Sequence, residues 1–276
     1  MRALHIGATG MLAQQTNVEV ISNNIANMNT TAYSRRRAEF HDLLYQDMRR
    51  VGANSSDSGT VIPSGIQLGL GVKTASVYRV SEHGSVLNTN NTLDLAIQGN
   101  GYFQIELPND RGNGYFQIEL PNDRGTGYTR DGAFQVSSEG ILVTSDGYTV
   151  QPGITIPENA IGITINSSGE VWVKEDGETE LTNVGQLEIA NFLNESGLEA
   201  IGDNLFVETA ASGNPTVDVP GELGFGTILQ GYLENSNVNV VSEITELVSA
   251  QRAYEMNSKV ITTADQMLST INQLKS

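Results

Sequence analysis

The residues able to carry chemistry are few and scattered. His5, His41 and His83 stand far apart and show none of the short spacings that build a metal site. There is no cysteine, which removes disulfides, thiolate zinc sites and a cysteine nucleophile. No GxSxG, HExxH or phosphate-loop pattern occurs. Gly99-Asn100-Gly101 lacks the third glycine of a dinucleotide fingerprint and runs into a strand-like segment, so it reads as a turn. Carboxylates are plentiful, but no pair is marked out as the acid and base of a glycosidase. The expectation is a chain that is not an enzyme, with no catalytic residue, no metal and no cofactor.

Charge narrows the partners. The formal net charge is −17, and it is uneven: residues 1–50 hold six Arg/Lys against four Asp/Glu, the rest nine against twenty-eight. Phosphate binding needs a basic face, so no nucleic acid is expected as a partner; Arg35-Arg36-Arg37 is too short a run to reverse this. It reads as a solvated or inter-subunit cluster. No apolar run is long enough to span a bilayer. The N-terminus lacks the apolar segment and small-residue site of a cleavable signal, so any export is expected to proceed without one.

What remains is periodicity. Val240, Leu247, Tyr254, Ile261 and Leu268 fall seven residues apart, with Ala250, Ala264 and Ile271 three residues after three of them and Asn257 as the exception. This is the seam of a helix that packs on another helix. No Gly or Pro interrupts residues 236–276, and an unbroken helix from Ser236 to Leu274 would run about 58 Å. Its partner is expected at the other end of the chain, where Leu4, Met11, Val18 and Ile25 repeat every seven residues, with Ile21 and Met28 near the second seam position. Gly7 and Gly10 weaken that first helix by about 1 kcal/mol each relative to alanine. Asn23, Asn24 and Asn27 crowd its end, and Gln251 and Asn257 interrupt the C-terminal pattern. An asparagine amide competes for backbone groups in a helix. These residues read either as a frayed end or as amides that bond to neighbouring chains and set register.

Between the helices the character changes. Ala38–Arg49 fits a short helix or an extended arm. Val51–Gly71, rich in Gly and Ser, reads as a linker or arm, or as a plain surface loop. From Val72 to about Tyr232 the period is two, with β-branched runs at 161–165 and 171–173 and Asp-Gly turns at 131–132, 146–147 and 176–177. The fold class is therefore α+β: long terminal helices pairing as a coiled coil and carrying a central all-β domain, antiparallel and sandwich- or roll-like. The expected divisions are 1–45 with 235–276 as the helical domain, 46–71 as the linker or arm, and 72–234 as the β-domain. Within it, residues 99–111 are repeated without a change at 112–124. The extra unit is expected to form a surface β-hairpin, dispensable to folding.

Taken together, four stretches resemble the flagellar rod and hook axial proteins of bacteria: Ile21 to Asn27 (ISNNIAN), Thr129 to Phe134 (TRDGAF), Glu234 to Asn239 (ENSNVN) and Gln251 to Asn257 (QRAYEMN). The resemblance covers nearly the whole chain. Length and the segment from Gln46 to Pro63 are most similar to members that build the distal part of the rod. Ala32 stands where the family usually has glycine, and the second copy at 112–124 is foreign to its pattern.

The resemblance implies a structural, self-assembling subunit of a rigid hollow helical shaft that carries torque from motor to hook and serves as an export channel. The seams at Leu4, Met11, Val18, Ile21, Ile25, Val240, Leu247, Tyr254, Ile261 and Leu268 would join subunits. Asn23, Asn24, Asn27, Gln251, Arg252 and Asn257 would supply polar inter-subunit contacts. Gln46, Arg49, Arg50, Ser55, Ser56 and Pro63 would belong to an arm that stiffens the rod. The implied partners are other copies of the chain, proximal rod and hook-side axial proteins, the peptidoglycan- and outer-membrane-ring proteins, and the flagellar export apparatus. The implied location is the basal body, across the periplasm. Alternatives are a hook or proximal rod subunit or, from another class, a secreted acidic β-domain adhesin on a trimeric coiled coil.

Overall fold

A computed structural model describes residues 2–49, 65–107, 125–177 and 180–275. They form two compact units. The first takes in residues 1–28, 35–80 and 238–276; the second takes in 29–34 and 81–237.

The helical unit contains α1 (Arg2–Ala26), β1 (Arg36–Asp42), β2 (Tyr45–Arg49), β3 (Ile66–Gly69), β4 (Val72–Arg79) and α2 (Val240–Lys275). α1 stops where the asparagines cluster: the Asn27 N–H donates back to the Asn23 carbonyl at 3.1 Å, and no helical turn follows. α2 starts on a side-chain cap, the Asn239 Oδ1 accepting from Val241 N–H at 3.1 Å and Ser242 N–H at 3.2 Å. The stretch from Ala38 to Arg49 is strand, not helix. β1 pairs antiparallel with β4 from Arg36 opposite Arg79 to Asp42 opposite Val72, and β2 pairs with β3. The alternation at 72–79 is thus that of a strand, but it lies in the helical unit because its partner is β1. Residues 51–64, most of the expected linker, lie outside the described residues.

The β unit follows in order: β5 (Val86–Asn88), β6 (Leu95–Gln98), β7 (Tyr102–Glu106), β8 (Thr126–Thr129), β9 (Phe134–Val136), β10 (Leu142–Thr144), β11 (Ala160–Ile165), β12 (Glu170–Glu175), β13 (Thr182–Gln186), β14 (Ile189–Asn191), β15 (Glu199–Gly202), β16 (Leu205–Val207), β17 (Thr216–Asp218), β18 (Thr227–Gln230) and β19 (Tyr232–Glu234). Its largest sheet runs β15-β16-β8-β7-β14-β17, and its pairs are antiparallel. β7 lies near the middle and is covered on both faces. Phe103 and Ile105 join a core with Leu95, Phe134, Val171, Ile189 and Ile228, while Tyr102 points the other way into a cluster with Tyr128, Phe192 and Leu198. The first copy of the repeat is therefore a core strand. The hairpin expected of the second copy lies outside the described residues.

The Asp-Gly turns divide by cause. Gly147 and Gly177 take positive φ, as their turns require. Gly132 does not; a Cβ there would land on the Leu95 carbonyl oxygen, so it is glycine for want of room.

Candidate assembly interface

α1 and α2 run antiparallel, since Gly7 faces Ile261, Gly10 faces Asn257 and Asn24 meets Glu243. The two glycines that cost α1 intrinsic helix stability sit at these contacts. A Cβ on Gly7 would lie 2.8 Å from Ile261 Cγ1, and one on Gly10 would lie 2.8 Å from Asn257 Nδ2. Small residues let the two helices approach closely here.

The packed stripe is consequently rotated from the one the large apolar residues suggest. On α1 the buried positions are Gly7, Ala13, Val20, Ile21 and Asn24, whereas Leu4, Met11, Val18 and Ile25 are only half-buried at its edge. On α2 the heptad is followed more closely: Glu243, Ala250 and Ala264 are buried, with Val240, Leu247, Asn257, Ile261 and Leu268 half-buried. Tyr254 is 44% exposed and does not join them. Met28 also stays exposed, because α1 has ended.

Much apolar surface on α2 faces away from α1. Val241, Ile244 and Val248 project on one side of the packed stripe; Met256, Val260, Met267 and Leu274 project on the other. Val241 is 77% exposed and Leu274 is 83% exposed. Sequence reasoning placed every large apolar residue of the heptad in the seam and missed these flanks. The signal was present, since α2 has more apolar residues than one seam can bury.

The polar residues divide sharply. Asn24 is 2% exposed and its amide is engaged within the chain. Its Nδ2 donates to the Arg36 carbonyl at 2.8 Å and to Glu243 Oε2 at 3.1 Å, and its Oδ1 accepts the Arg36 N–H at 2.8 Å. One side chain thus ties α1 to β1 and α2. Asn23 and Asn27 serve each other: the Asn27 Nδ2 donates to the Asn23 carbonyl at 2.9 Å. Gln251 and Arg252 are exposed on α2. Gln46 lies exposed on β2, which also carries Arg49, while Arg50, Ser55, Ser56 and Pro63 lie outside the described residues.

A second polar anchor, inside the β unit, unites two of the signature stretches. Arg130 Nε donates to Glu234 Oε2 at 2.7 Å, with both residues buried. The Arg130 guanidinium also donates to the carbonyls of Gly101 (3.1 Å), Ile97 (3.1 Å) and Gly99 (2.9 Å). Glu234 Oε1 accepts from Gly84 N–H at 2.9 Å. The next residue, Asp131, holds the turn by accepting from Ala133 N–H at 3.2 Å, and its other oxygen accepts from Asn204 Nδ2 at 3.3 Å. The Glu234 carbonyl receives the Ala32 N–H at 2.8 Å, and the Thr31 carbonyl receives Asn204 Nδ2 at 3.3 Å, so residues 29–34 are held by this unit. Ala32 itself has φ +54°, a left-handed conformation that favours glycine.

These features define a structural chain: two terminal helices with unpartnered apolar flanks, a separate β unit, and polar residues used as fasteners. The comparisons with known proteins agree. The family "Flagella basal body rod protein" matches residues 4–33, "Flagellar hook protein FlgE/F/G D1 domain" matches 111–173, and "Flagellar basal body rod FlgEFG protein C-terminal" matches 229–274. The chain is 59% identical to the flagellar basal-body rod protein FlgG of Caulobacter vibrioides, covering 100% of both chains. It is 51% identical to that of Agrobacterium fabrum over 99% of each, and 38% identical to that of Bacillus subtilis over 100% of this chain and 99% of the other. The chain belongs to the flagellar basal-body rod protein family. The adhesin reading of the acidic β-domain has no support beside a full-length match to rod proteins.

Proposed function

We propose that this chain is a self-assembling subunit of the distal rod, polymerising with its own copies into a rigid hollow helical shaft that carries torque to the hook and leaves a channel for export. The observation that carries this reading is the pair of exposed apolar flanks on α2. A helix whose one stripe is already packed on α1 and which still exposes apolar residues on both sides of it has surface for two further helices. Neighbouring copies are the occupants that an open-ended polymer supplies. In that polymer the terminal helices pair as a coiled coil and line the inner tube, and the β unit lies outside them. The segment from Gln46 to Pro63 stiffens the shaft. The ends of the shaft meet proximal rod and hook-side axial proteins, its sides meet the peptidoglycan- and outer-membrane-ring proteins, and the export apparatus delivers the subunit. The function is mechanical, not enzymatic.

The test is assembly itself. Val248→Glu and Met267→Glu place a charge on opposite flanks without touching the packed stripe. Each is expected to keep the helical circular dichroism of the parent while failing to form sedimentable filaments. Discrete trimers in the parent, or filaments unaffected by both substitutions, would overturn the proposal.

A further inference from the structure

The two apolar flanks of α2 differ in chemistry. Val241, Ile244 and Val248 are hydrocarbon throughout, whereas Met256 and Met267 stand with Val260 and Leu274 on the other flank. Met256 and Met267 are eleven residues apart in α2, three helical turns plus about 20°, so they stack on one face about 16 Å apart. They are 63% and 56% exposed. The other described methionines are placed differently. Met11 is half-buried at the edge of the α1 stripe, Met28 follows the end of α1, and the Met48 sulfur on β2 accepts from Arg2 Nη1 at 3.6 Å. Oxidation of a thioether follows its exposure, and the sulfoxide it yields is polar and disrupts methionine-bearing interfaces.

We propose that Met256 and Met267 form a modification site, at which a peroxide oxidises the free subunit and reversibly blocks its assembly. This rests on the reading of the α2 flanks as assembly surface. In the reaction a methionine sulfur attacks one oxygen of hydrogen peroxide. The S–O bond forms as the O–O bond breaks, and the departing hydroxide takes the proton from the transferred oxygen and leaves as water. The sulfur is oxidised by two electrons and the peroxide is reduced by two. The new oxygen is a hydrogen-bond acceptor on a flank that packs by apolar contact, and burying it without a donor opposes docking. The stripe of α2 packed on α1 centres on Glu243, Ala250 and Ala264 and includes neither methionine, so the oxidised subunit stays folded. Assembly protects in turn: a neighbour covering the flank excludes water and peroxide, so the site reacts before polymerisation and not after it. Methionine sulfoxide reductases, one for each sulfoxide epimer, remove the oxygen and make the block reversible.

The experiment treats the dispersed full chain with hydrogen peroxide and follows each methionine by peptide mass spectrometry; Lys259 places Met256 and Met267 in separate tryptic peptides. Sedimentation then gives the critical concentration, beside Val248→Glu and the double variant Met256→Leu with Met267→Leu. Leucine keeps the volume and helix propensity of methionine but has no sulfur to oxidise. In the parent, Met256 and Met267 are expected to gain one oxygen each ahead of Met11, with helical circular dichroism unchanged. The critical concentration is expected to rise about tenfold or more, as for polar groups buried unpaired. Both reductases, with dithiothreitol as the electron source, are expected to restore it. The double-leucine variant is expected to assemble as the untreated parent does and to ignore peroxide, and assembled filaments are expected to keep both thioethers. The proposal falls if the doubly oxidised chain assembles normally, if the two sulfurs resist peroxide in the free chain, or if oxidation unfolds α2. It falls equally if filaments oxidise as fast as free chains, or if peroxide also blocks the double-leucine variant. Normal assembly of the oxidised chain while Val248→Glu is blocked sinks this inference alone. A parent that yields only discrete trimers, or filaments formed by Val248→Glu and Met267→Glu alike, overturns the rod reading and this inference with it.

Discussion

Arg130 and Glu234 stand 104 residues apart and meet at 2.7 Å with their side chains 6% and 7% exposed. The pair joins the end of β8 to the end of β19, and three of the four remaining guanidinium N–H groups donate to carbonyls, so neither charge is left without a partner. Removing one member leaves the other buried and uncompensated, which costs about 3–5 kcal/mol. Glu234→Ala is therefore expected to destabilise the β unit by that amount, measured as a shift of its denaturant midpoint. Arg130→Met with Glu234→Leu removes both charges but takes the donor from the Gly101, Ile97 and Gly99 carbonyls and the acceptor from Gly84 N–H, so it is expected to recover only part of the loss. A single-variant cost under about 1 kcal/mol, the range of an exposed pair, would refute the account.

Asn24 is the corresponding fastener in the helical unit. Replacing it with alanine orphans the Arg36 N–H and carbonyl and removes a donor from the buried Glu243. Each unsatisfied buried group costs about 1–3 kcal/mol, with water able to reach some of them. Asn24→Ala is expected to lower the stability of the helical unit by about 2–3 kcal/mol, read by helical circular dichroism during denaturation. Asn23→Ala, at an exposed position beside it, is the control and is expected to cost under about 1 kcal/mol.

The two fasteners also show what the sequence made legible. The heptads located both helices to within a few residues, and the alternation with Asp-Gly turns located the β region, because both are patterns of neighbours along the chain. Arg130–Glu234 and Asn24–Glu243 are pairings across more than a hundred residues, and single-sequence periodicity is blind to them. The resemblance did pick out the stretches containing Arg130, Glu234 and Asn24, but not which would meet. On α1 the stripe packed on α2 differs from the heptad for a different reason. Large apolar residues mark the heptad, but the close approach is made at Gly7, where a Cβ would meet Ile261, and at Gly10, where it would displace the Asn257 amide. The period marks Val72–Arg79 as a strand, and nothing local indicates that its partner is β1.

Ala32 occupies a left-handed position at φ +54°. That conformation costs a residue with a Cβ about 1–2 kcal/mol, and glycine escapes the cost while losing about 0.5–1 kcal/mol in chain entropy. The net expectation is that Ala32→Gly stabilises the β unit by about 0.5–1 kcal/mol, seen as a higher denaturant midpoint at unchanged slope. Ala32→Val, β-branched at the same φ, is expected to destabilise. Stabilisation by valine would show that the backbone there is not left-handed in solution.

Tyr128 packs edge-on against Phe192 with centroids 4.8 Å apart. Burial, and after it the negative charge of Glu208, pushes its phenol up to about 12. An unfolded tyrosine titrates near 10, so the folded state holds the proton more tightly. The stability this contributes is fully present below pH 10 and is lost as the pH rises toward about 12. The parent is expected to lose stability over that window faster than Tyr128→Phe, with the two curves parallel below it. Parallel curves throughout would exclude Tyr128 as the group responsible.

Charge is divided between the units in a way that bears on assembly. The helical unit carries eleven basic and nine acidic residues, and the β unit carries four basic and twenty-three acidic. Copies can therefore bring their helical units together with little electrostatic cost, while their β units, net −19, repel. Salt screens that repulsion, the screening length falling from about 14 Å at 50 mM to about 6 Å at 300 mM. If the proposed polymer places β units side by side, its critical concentration is expected to fall severalfold over this range, measured by sedimentation at each ionic strength. A critical concentration that rises with salt would mean that attraction between opposite charges drives assembly, with the basic strand β1 meeting acidic surface on the next copy.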